Sequence, residues 1–487
     1  MDEPTLAVPE PAPPAPRPHD PPAVALGNAS LLGVGYLLLR RRGLAVLAVA
    51  VTVVLVSRLV STASPSYEVA VGVWWTAVIA HGWFLARASA GQGVGQGVGQ
   101  GVGRGALRGQ RLVALGVTLP VLLAVGLLRF DASRVGESVA GARERGDCAK
   151  VESAQGGVWF GHRMADAPLT ARGDEIVEDC RRLEMAGGQL TTGLTGDTAS
   201  LEGGFETLAS VLAQPGNEKT VETALTRFLR GLPAKDPCAT VAVTGWLRER
   251  KRSHDVLDQS AATARRTAPA ALVACGDDLM GRGNWKSAQA HYKRLLDQYP
   301  GDGLAGRART GAKKATLSIE LANVRNLLAP GTGSQPAYCS KPAKYSGAKP
   351  MGKGTNRALF YGQDTYGEDH SDKLPGSWKA ADATDAVLVV CMGADTFGSS
   401  VQTCPYRPRD SGSTTYVTFH KIAVPVKVYE LRTGKLVSHR TLQIGGSSCP
   451  AIITYYSGSS GPGPASNRYV SAATSDVRSA FRPLVNR

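Results

Sequence analysis

Four long apolar stretches crowd into the first 130 residues: Ala23–Leu39, Gly43–Val60, Val69–Leu85 and Leu112–Leu128. Each is near the lower length needed to cross about 30 Å of hydrocarbon. A cleavable leader does not account for them. There are several, and the first follows a Pro-rich, acidic segment (Asp2, Glu3, Glu10, Asp20) in place of a basic one. The expected arrangement is a disordered Pro-rich segment over 1–22, then a transmembrane region over 23–129 with three or four helices (23–39, 43–60, 69–85 and 112–128) and a flexible Gly-rich loop over 88–111.

The cations orient these stretches. Arg40, Arg41 and Arg42 lie between the first two, and Arg87, Arg104, Arg108 and Arg111 lie between the last two. The positive-inside rule places these seven in the cytoplasm. The loop Ser61–Glu68 has neither Lys nor Arg and belongs outside, with Arg58 reaching from the second stretch to the interface. Leu112–Leu128 then delivers everything after Arg129 to the outer face of the plasma membrane. The first stretch carries Asn28, Ser30, Gly33 and Gly35 and is tied to the second by a tight turn. A spanning helix is its expected form, with the N-terminus outside; as an interfacial segment it leaves the N-terminus in the cytoplasm.

The cysteines agree with this orientation. All eight (Cys148, Cys180, Cys238, Cys275, Cys339, Cys391, Cys404 and Cys449) follow the last apolar stretch. An even number, spread singly and without a CxxC pair, suits disulfides in an oxidising compartment. Metal-binding spacing with intervening histidines is absent. Cys148 with Cys180 and Cys238 with Cys275 are the expected pairs in the helical part, since each joins neighbouring helical segments. Cys391 and Cys404 flank a short connection and are expected to staple adjacent strands. Cys339 with Cys449 then pins the ends of the last domain, closing a long loop worth roughly 4–5 kcal/mol. The formal charge of +15 is spread: residues 131–487 hold 45 Lys and Arg against 35 acids, so this part is only mildly basic.

Residues 130–330 read as helical. Asp174–Met185, Glu202–Leu212 and Glu222–Leu232 place apolar residues three and four apart, and Pro215, Pro233, Pro237, Pro269 and Pro300 fall near expected helix boundaries. The stretch 271–300 resembles a tetratricopeptide (TPR) unit. Gly276 and Leu279 sit on its first helix and Gly283 in its turn. Trp285, Ala288, Tyr292 and Leu295 sit on its second, and Pro300 closes it. The resemblance implies two antiparallel helices that approach at small residues and pack Leu279, Tyr292 and Leu295 in the seam. Pro237–Pro269 is a degenerate copy, with Gly245 in place but His254 and Leu257 where an aromatic and a small residue belong.

Residues 331–353 read as a linker, and 354–487 as a β-rich (α+β) domain. From Ala386 the run is continuously apolar, as in a buried strand. Thr414–Leu431 is strand-like but interrupted by Pro425, which predicts an edge strand or two short ones. Arg432–Lys435 turns into Leu436–Ile444, and Ser471–Arg482 has helical spacing suited to capping the sheet. The segments beginning at Trp159 (WFGHRMADAPL), Gly354 (GTNRALFYG), Leu388 (LVVCMG), Val428 (VYELRTGKLV) and Ile444 (IGGSSCP), together with abundant Ala, Gly, Val and Arg, resemble uncharacterised multi-pass membrane proteins of actinobacteria. That resemblance implies a shared architecture and brings no site residues.

Motifs of known chemistry fail on inspection. Gly347–Gly354 lacks the Ser or Thr that follows Lys in a phosphate loop, and the Gly91–Gly103 run has no preceding strand. Ser346 and Lys349 match S-x-x-K without companion motifs. The cluster Glu368-Asp369-His370-Ser371-Asp372 reads as a solvated loop, and His81 as an interfacial residue beside Trp83. The basic residues of 248–325 read as a solvated face or a contact for anionic wall polymer; nucleic acid is not expected. The expectation is a membrane-anchored cell-envelope interaction protein without enzymatic activity, cofactor or metal, partnered by the bilayer and other envelope proteins. An extracytoplasmic ligand-binding or sensory protein is the alternative, and an extracytoplasmic enzyme the third.

Overall fold

A computed structural model describes residues 20–91, 103–331, 335–362, 369–407, 413–455 and 463–486. The chain forms two compact units, Met1–Thr267 and Ala268–Arg487. The division falls inside a helix, well before the 331–353 stretch expected to separate the domains.

The first unit begins with two short helices, α1 (Pro21–Ala29) and α2 (Val34–Leu38), followed by three long ones, α3 (Arg42–Thr62), α4 (Pro65–Gly91) and α5 (Gly103–Glu144). Among the described residues, three helices, α3, α4 and α5, are long and apolar enough to cross a membrane. Their large side chains point outward: Val46, Leu47, Phe84, Leu112, Leu119 and Leu123 are all exposed. The described ends of the expected Gly-rich loop are helical, because α4 continues to Gly91 and α5 starts at Gly103. The rest of the Gly-Gln-Gly-Val run lies outside the described residues.

The expected first spanning helix is broken. α1 ends at Ala29, Leu31 follows with φ of 62°, and Gly33, at φ of 69°, starts the next helix; both are left-handed conformations. Asp20, at the start of α1, pairs with Arg111, and the Thr118 hydroxyl donates to the Leu26 carbonyl at 2.7 Å. Seven residues on α5 are roughly 10 Å, so α1 rises only partway along the bundle. The chain then returns, and Tyr36 meets His81 Nδ1 at 2.8 Å. Close approach permits the fold-back: a Cβ on Gly35 would lie 2.1 Å from the Val24 carbonyl. Asp20 therefore lies at the same end of the bundle as Arg40–Arg42. At the other end, Arg129 of α5 pairs with Glu68 of α4. The 18 residues from Arg111 to Arg129 rise roughly 27 Å, close to the thickness of a hydrocarbon core.

Beyond Arg129 the unit is a helical bundle: α6 (Cys148–Gln155), α7 (Phe160–Ala165), α8 (Ala167–Gly193), α9 (Thr198–Leu212), α10 (Glu218–Leu229) and α11 (Pro237–Glu249). Aspartates start several of these helices. Asp147, Asp166, Asp197 and Asp236 each accept a backbone N–H of the first turn, and proline occupies the first or second helical position after Asp166 and Asp236. The bundle core joins Leu183, Leu190, Leu201, Phe205, Leu225, Phe228 and Leu247. Gly204 lets α9 meet α8, since a Cβ there would sit 2.8 Å from Leu190.

α12 (Gln259–Gly281) contains Pro269 in its interior, where a helix boundary was expected. The carbonyl that the proline leaves unbonded belongs to Arg265, an exposed residue that water can reach. The second unit continues with α13 (Trp285–Gln298), α14 (Ala305–Leu328), a sheet, and α15 (Thr474–Val485). The strands are β1 (Ala358–Tyr361), β2 (Leu388–Met392), β3 (Thr396–Tyr406), β4 (Thr415–Glu430), β5 (Lys435–Ile444) and β6 (Asn467–Tyr469). β4 is the spine. β2 pairs with its residues 426–430 and β3 with 415–423, both antiparallel. β5 pairs antiparallel over 422–430 and β6 parallel over 418–420, so these two take the opposite edge.

β4 thus runs through Pro425 as one 16-residue central strand, where an edge strand or two short ones were expected. The exception has a local cause. The Pro425 carbonyl accepts from Gly393 N–H at 2.8 Å, so its ring nitrogen faces the same gap, where β2 has ended and β3 has not begun. No ladder donor is lost there.

Around β2 and the second half of β4 the sheet buries both faces. Leu388, Val390 and Met392 join Val424, Val426, Val428, Val477 and Phe481 on the α15 side. Val389, Cys391, Tyr429 and Leu431 join Val324 and Leu328 of α14 on the other. Tyr338, Cys339 and Ala348 are buried in that second layer, so the expected linker is part of the core.

All eight cysteines are disulfide-bonded. Cys148 joins Cys180 between α6 and α8, as the neighbouring helices suggest. The expected Cys391–Cys404 and Cys339–Cys449 pairs are replaced by Cys339–Cys391 and Cys404–Cys449. β2 and β3 run end to end along one edge of β4, Cys391 opposite Lys427 and Cys404 opposite Val417. Ten residues of strand separate those two positions by roughly 33 Å, beyond the reach of any disulfide.

Candidate functional site

Of the residues expected to form a repeat unit, Gly276 packs against the ring of Tyr292, and Gly311 meets the same ring. Tyr292 is buried, and a Cβ on either Gly276 of α12 or Gly311 of α14 would lie 2.6 Å from it. Its hydroxyl donates to Asp277 Oδ1 at 2.6 Å, and Arg307 holds the other oxygen of that carboxylate. Burial first, then the Asp277 carboxylate, pushes the Tyr292 phenol far up. Ala288 and Leu295 are buried on the same face of α13, Leu279 lies on α12, and Gly283 turns the chain at φ of 76° before Trp285. Pro300 follows the end of α13. These residues build a scaffold, and two of them, Gly283 and Trp285, also line a groove.

Beside that scaffold lies a groove of about 740 Å³ between the start of α13 and the C-terminal half of α14. Asn284, Trp285, Lys286 and Ser287 form one wall, Glu320, Asn323 and Asn326 the other, and Lys344 closes one side. The α14 residues follow helical spacing: 319, 322, 323 and 326 share a face. Glu320 accepts from Ser346 N–H at 2.8 Å and pairs with Lys344 at 3.2 Å. Burial pushes its carboxyl upward, but the hydrogen bonds from Ser346 and Lys344 outweigh this and hold it below the usual range. It is therefore charged at neutral pH and holds the 344–346 segment against α14. Among the described residues the side chains of Ser287, Asn323 and Asn326 hydrogen-bond to no protein group, so their amides and hydroxyl remain available. A primary amide both donates and accepts, which matches a main-chain peptide group. The half-buried Trp285 ring offers an apolar surface beside them.

Gly283 and Trp285 were expected as turn and packing residues and also line the groove, whereas Asn323, Asn326 and Lys344 were not singled out by the sequence for this site. The helical spacing of the α14 residues was legible, but nothing in it specified what they face.

The acidic cluster departs from its expected solvated loop. His370 and Ser371 are buried, and His370 Nε2 lies 2.9 Å from Asp395, beside Phe481. Asp395 lies in the β2–β3 gap, so this pair fastens the 370–373 turn to the sheet. Glu368 lies outside the described residues. No group of three or more possible metal ligands occurs among the described residues. Comparison with known proteins gives no family model, no curated protein and no solved structure that matches the chain.

Proposed function

We propose that this is a multi-pass membrane protein whose part after Arg129 faces an oxidising, extracytoplasmic space and serves as an interaction platform at the cell envelope. One observation carries the placement: every cysteine follows the last apolar helix, and every one is oxidised. Reducing cytosol does not sustain four such bonds. The cations support the same orientation, because Arg40–Arg42, Arg87, Arg108 and Arg111 collect at one end of the bundle. In this orientation the α1–α2 pair is a re-entrant hairpin that enters and leaves on the cytoplasmic side. Its irregular backbone lies against protein rather than lipid, as such segments must.

The platform reading rests on the groove between α13 and α14, in a hairpin with TPR-like packing. Its unengaged amides, the flanking Lys286 and the Trp285 ring suit an extended segment of a partner protein with an acidic side chain. No arrangement of nucleophile, base and oxyanion donor accompanies it among the described residues. The test is crosslinking in intact cells with a membrane-impermeant amine reagent, followed by mass spectrometry. Crosslinks from Lys286 and Lys344 to a consistent set of envelope proteins, lost in an Asn323→Ala/Asn326→Ala variant, support the platform. Labelled lysines without any partner refute it and turn attention to small ligands.

A further inference from the structure

The WFGHRMADAPL segment finds no role in the platform, yet it displays three large exposed apolar side chains. Trp159, Phe160 and Met164 are 58%, 64% and 43% exposed, whereas Gly161 and His162 beneath them are buried. Phe160, Arg163 and Met164 share one face of α7, because residues three and four apart are neighbours on a helix. The display is ordered. The Trp159 ring folds over Gly161, where a Cβ would fall 2.5 Å from it, and stands edge-on to the His162 ring. The Trp159 N–H lies 3.3 Å from His162 Nδ1, and His162 Nε2 lies 2.9 Å from Asp131. An imidazole that accepts at Nδ1 carries its proton on Nε2 and donates it to that carboxylate.

These contacts fix the height of α7. Asp131 grips its start, and Asp166, at its end, lies 3.5 Å from Arg129. Both partners sit on α5 within three residues of Leu128, and Arg129 also holds Glu68 at the head of α4. α7 touches α3 as well. It is therefore clamped across the mouth of the bundle, where the apolar belt of α5 ends in the exposed Leu127 and Phe130. Its exposed Trp159, Phe160 and Met164 are thereby held at the level where that belt ends.

We infer that α7 is an interfacial anchor, seated with Trp159, Phe160 and Met164 in the outer headgroup layer of the bilayer that α3–α5 cross. The inference rests on the membrane reading proposed above. Aromatic rings favour that layer, and amphipathic helices lie in it with their apolar face down. Arg163 already pairs with Asp174 at 2.9 Å, so the helix reaches lipid through its apolar side chains. Anchored there, α7 holds the start of α8 at a fixed height above the membrane.

The test uses the full chain in phosphatidylcholine–phosphatidylglycerol vesicles. Because all native cysteines are oxidised, single cysteines at Phe160→Cys, Met164→Cys, Leu123→Cys and Thr195→Cys can carry an environment-sensitive fluorophore. The expected result is a blue-shifted emission at 160 and 164, lost with lipids nitroxide-labelled near the headgroup and protected from aqueous iodide. Emission at 123 is lost with deep nitroxide, and emission at 195 with iodide. Quenching at 123 with iodide access at 160 and 164 equal to that at 195 overturns the anchor and leaves the membrane reading standing. A label at 123 that lipid nitroxides do not touch overturns both. Should Phe160→Cys fail to fold, the label at Met164→Cys reads the same lipid contact.

Discussion

Removing the Tyr292 ring tests the packing of the α12–α14 scaffold. The ring is about 1% exposed and wedged between Gly276 and Gly311. Tyr292→Ala should cost about 3–5 kcal/mol, the usual range for emptying a buried aromatic site. For a unit of this size each kcal/mol lowers the midpoint by about 2–4 °C, so the loss should be roughly 6–20 °C. Tyr292→Phe should cost only about 1 kcal/mol, since Asp277 keeps Arg307 when the hydroxyl goes. The sharper test is coupling. Alone, Gly276→Ala gains about 1 kcal/mol of helix propensity but forces a methyl into the trapped ring, at a cost of about 1–3 kcal/mol. With Tyr292→Ala already present, the collision is gone and the same change should stabilise by about 1 kcal/mol. Urea midpoints read by pulse proteolysis of the detergent-solubilised chain measure all four corners. If Gly276→Ala has the same effect in both backgrounds, the ring does not occupy the inter-helix space and the reasoning fails.

Disulfide mapping by peptide mass should recover Cys339–Cys391 and Cys404–Cys449 and no peptide joining Cys391 to Cys404. Replacing Cys339 and Cys391 by serine should cost about 4 kcal/mol of unfolding free energy, read as a lower denaturant midpoint, from the loop that their separation of 52 closes. The Arg325 guanidinium beside Asp382 holds that carboxyl well below the usual carboxylate range. A depressed folded-state pKa gives stability that is full above the unfolded value, about 3.9, and lost as pH falls through the folded one. Arg325→Ala should therefore be less stable than the parent at neutral pH, with the gap narrowing in acid melts. Gly35→Leu should open the α1–α2 hairpin, read as new protease cleavage between residues 24 and 36, because its side chain would collide with the Val24 carbonyl.

Much of this architecture was legible where one physical signal decided it. Long apolar runs marked α3, α4 and α5, and continuous burial marked β2 at Leu388–Met392. The charge and cysteine distributions are separate signals for one proposed sidedness, which impermeant labelling tests. Failure came where local rules were overridden by neighbours. Pro425 reads as a strand breaker, yet it sits where β4 needs no donor, which only the β2–β3 gap reveals. Residues 336–348 are rich in Lys, Pro and Ser, but Tyr338 and Cys339 are drawn into the layer under Tyr429. The disulfide pairs followed proximity in sequence, whereas an end-to-end strand pair carried Cys404 far from Cys391. Ala23–Leu39 has the composition of a span, and two left-handed residues, Leu31 and Gly33, break it. The groove was the least legible feature, since its polar side chains come from a turn, a helix face and a loop residue with no shared motif.

The central claim is that the disulfide-bearing part and the arginine cluster lie on opposite sides of one membrane. With every native cysteine oxidised, single cysteines at Ser66, Gly43 and Thr195 can be exposed to a membrane-impermeant maleimide in intact cells. The account predicts labelling at 66 and 195, and labelling at 43 only after the membrane is permeabilised. Labelling at 43 in intact cells with protection at 195 would contradict it.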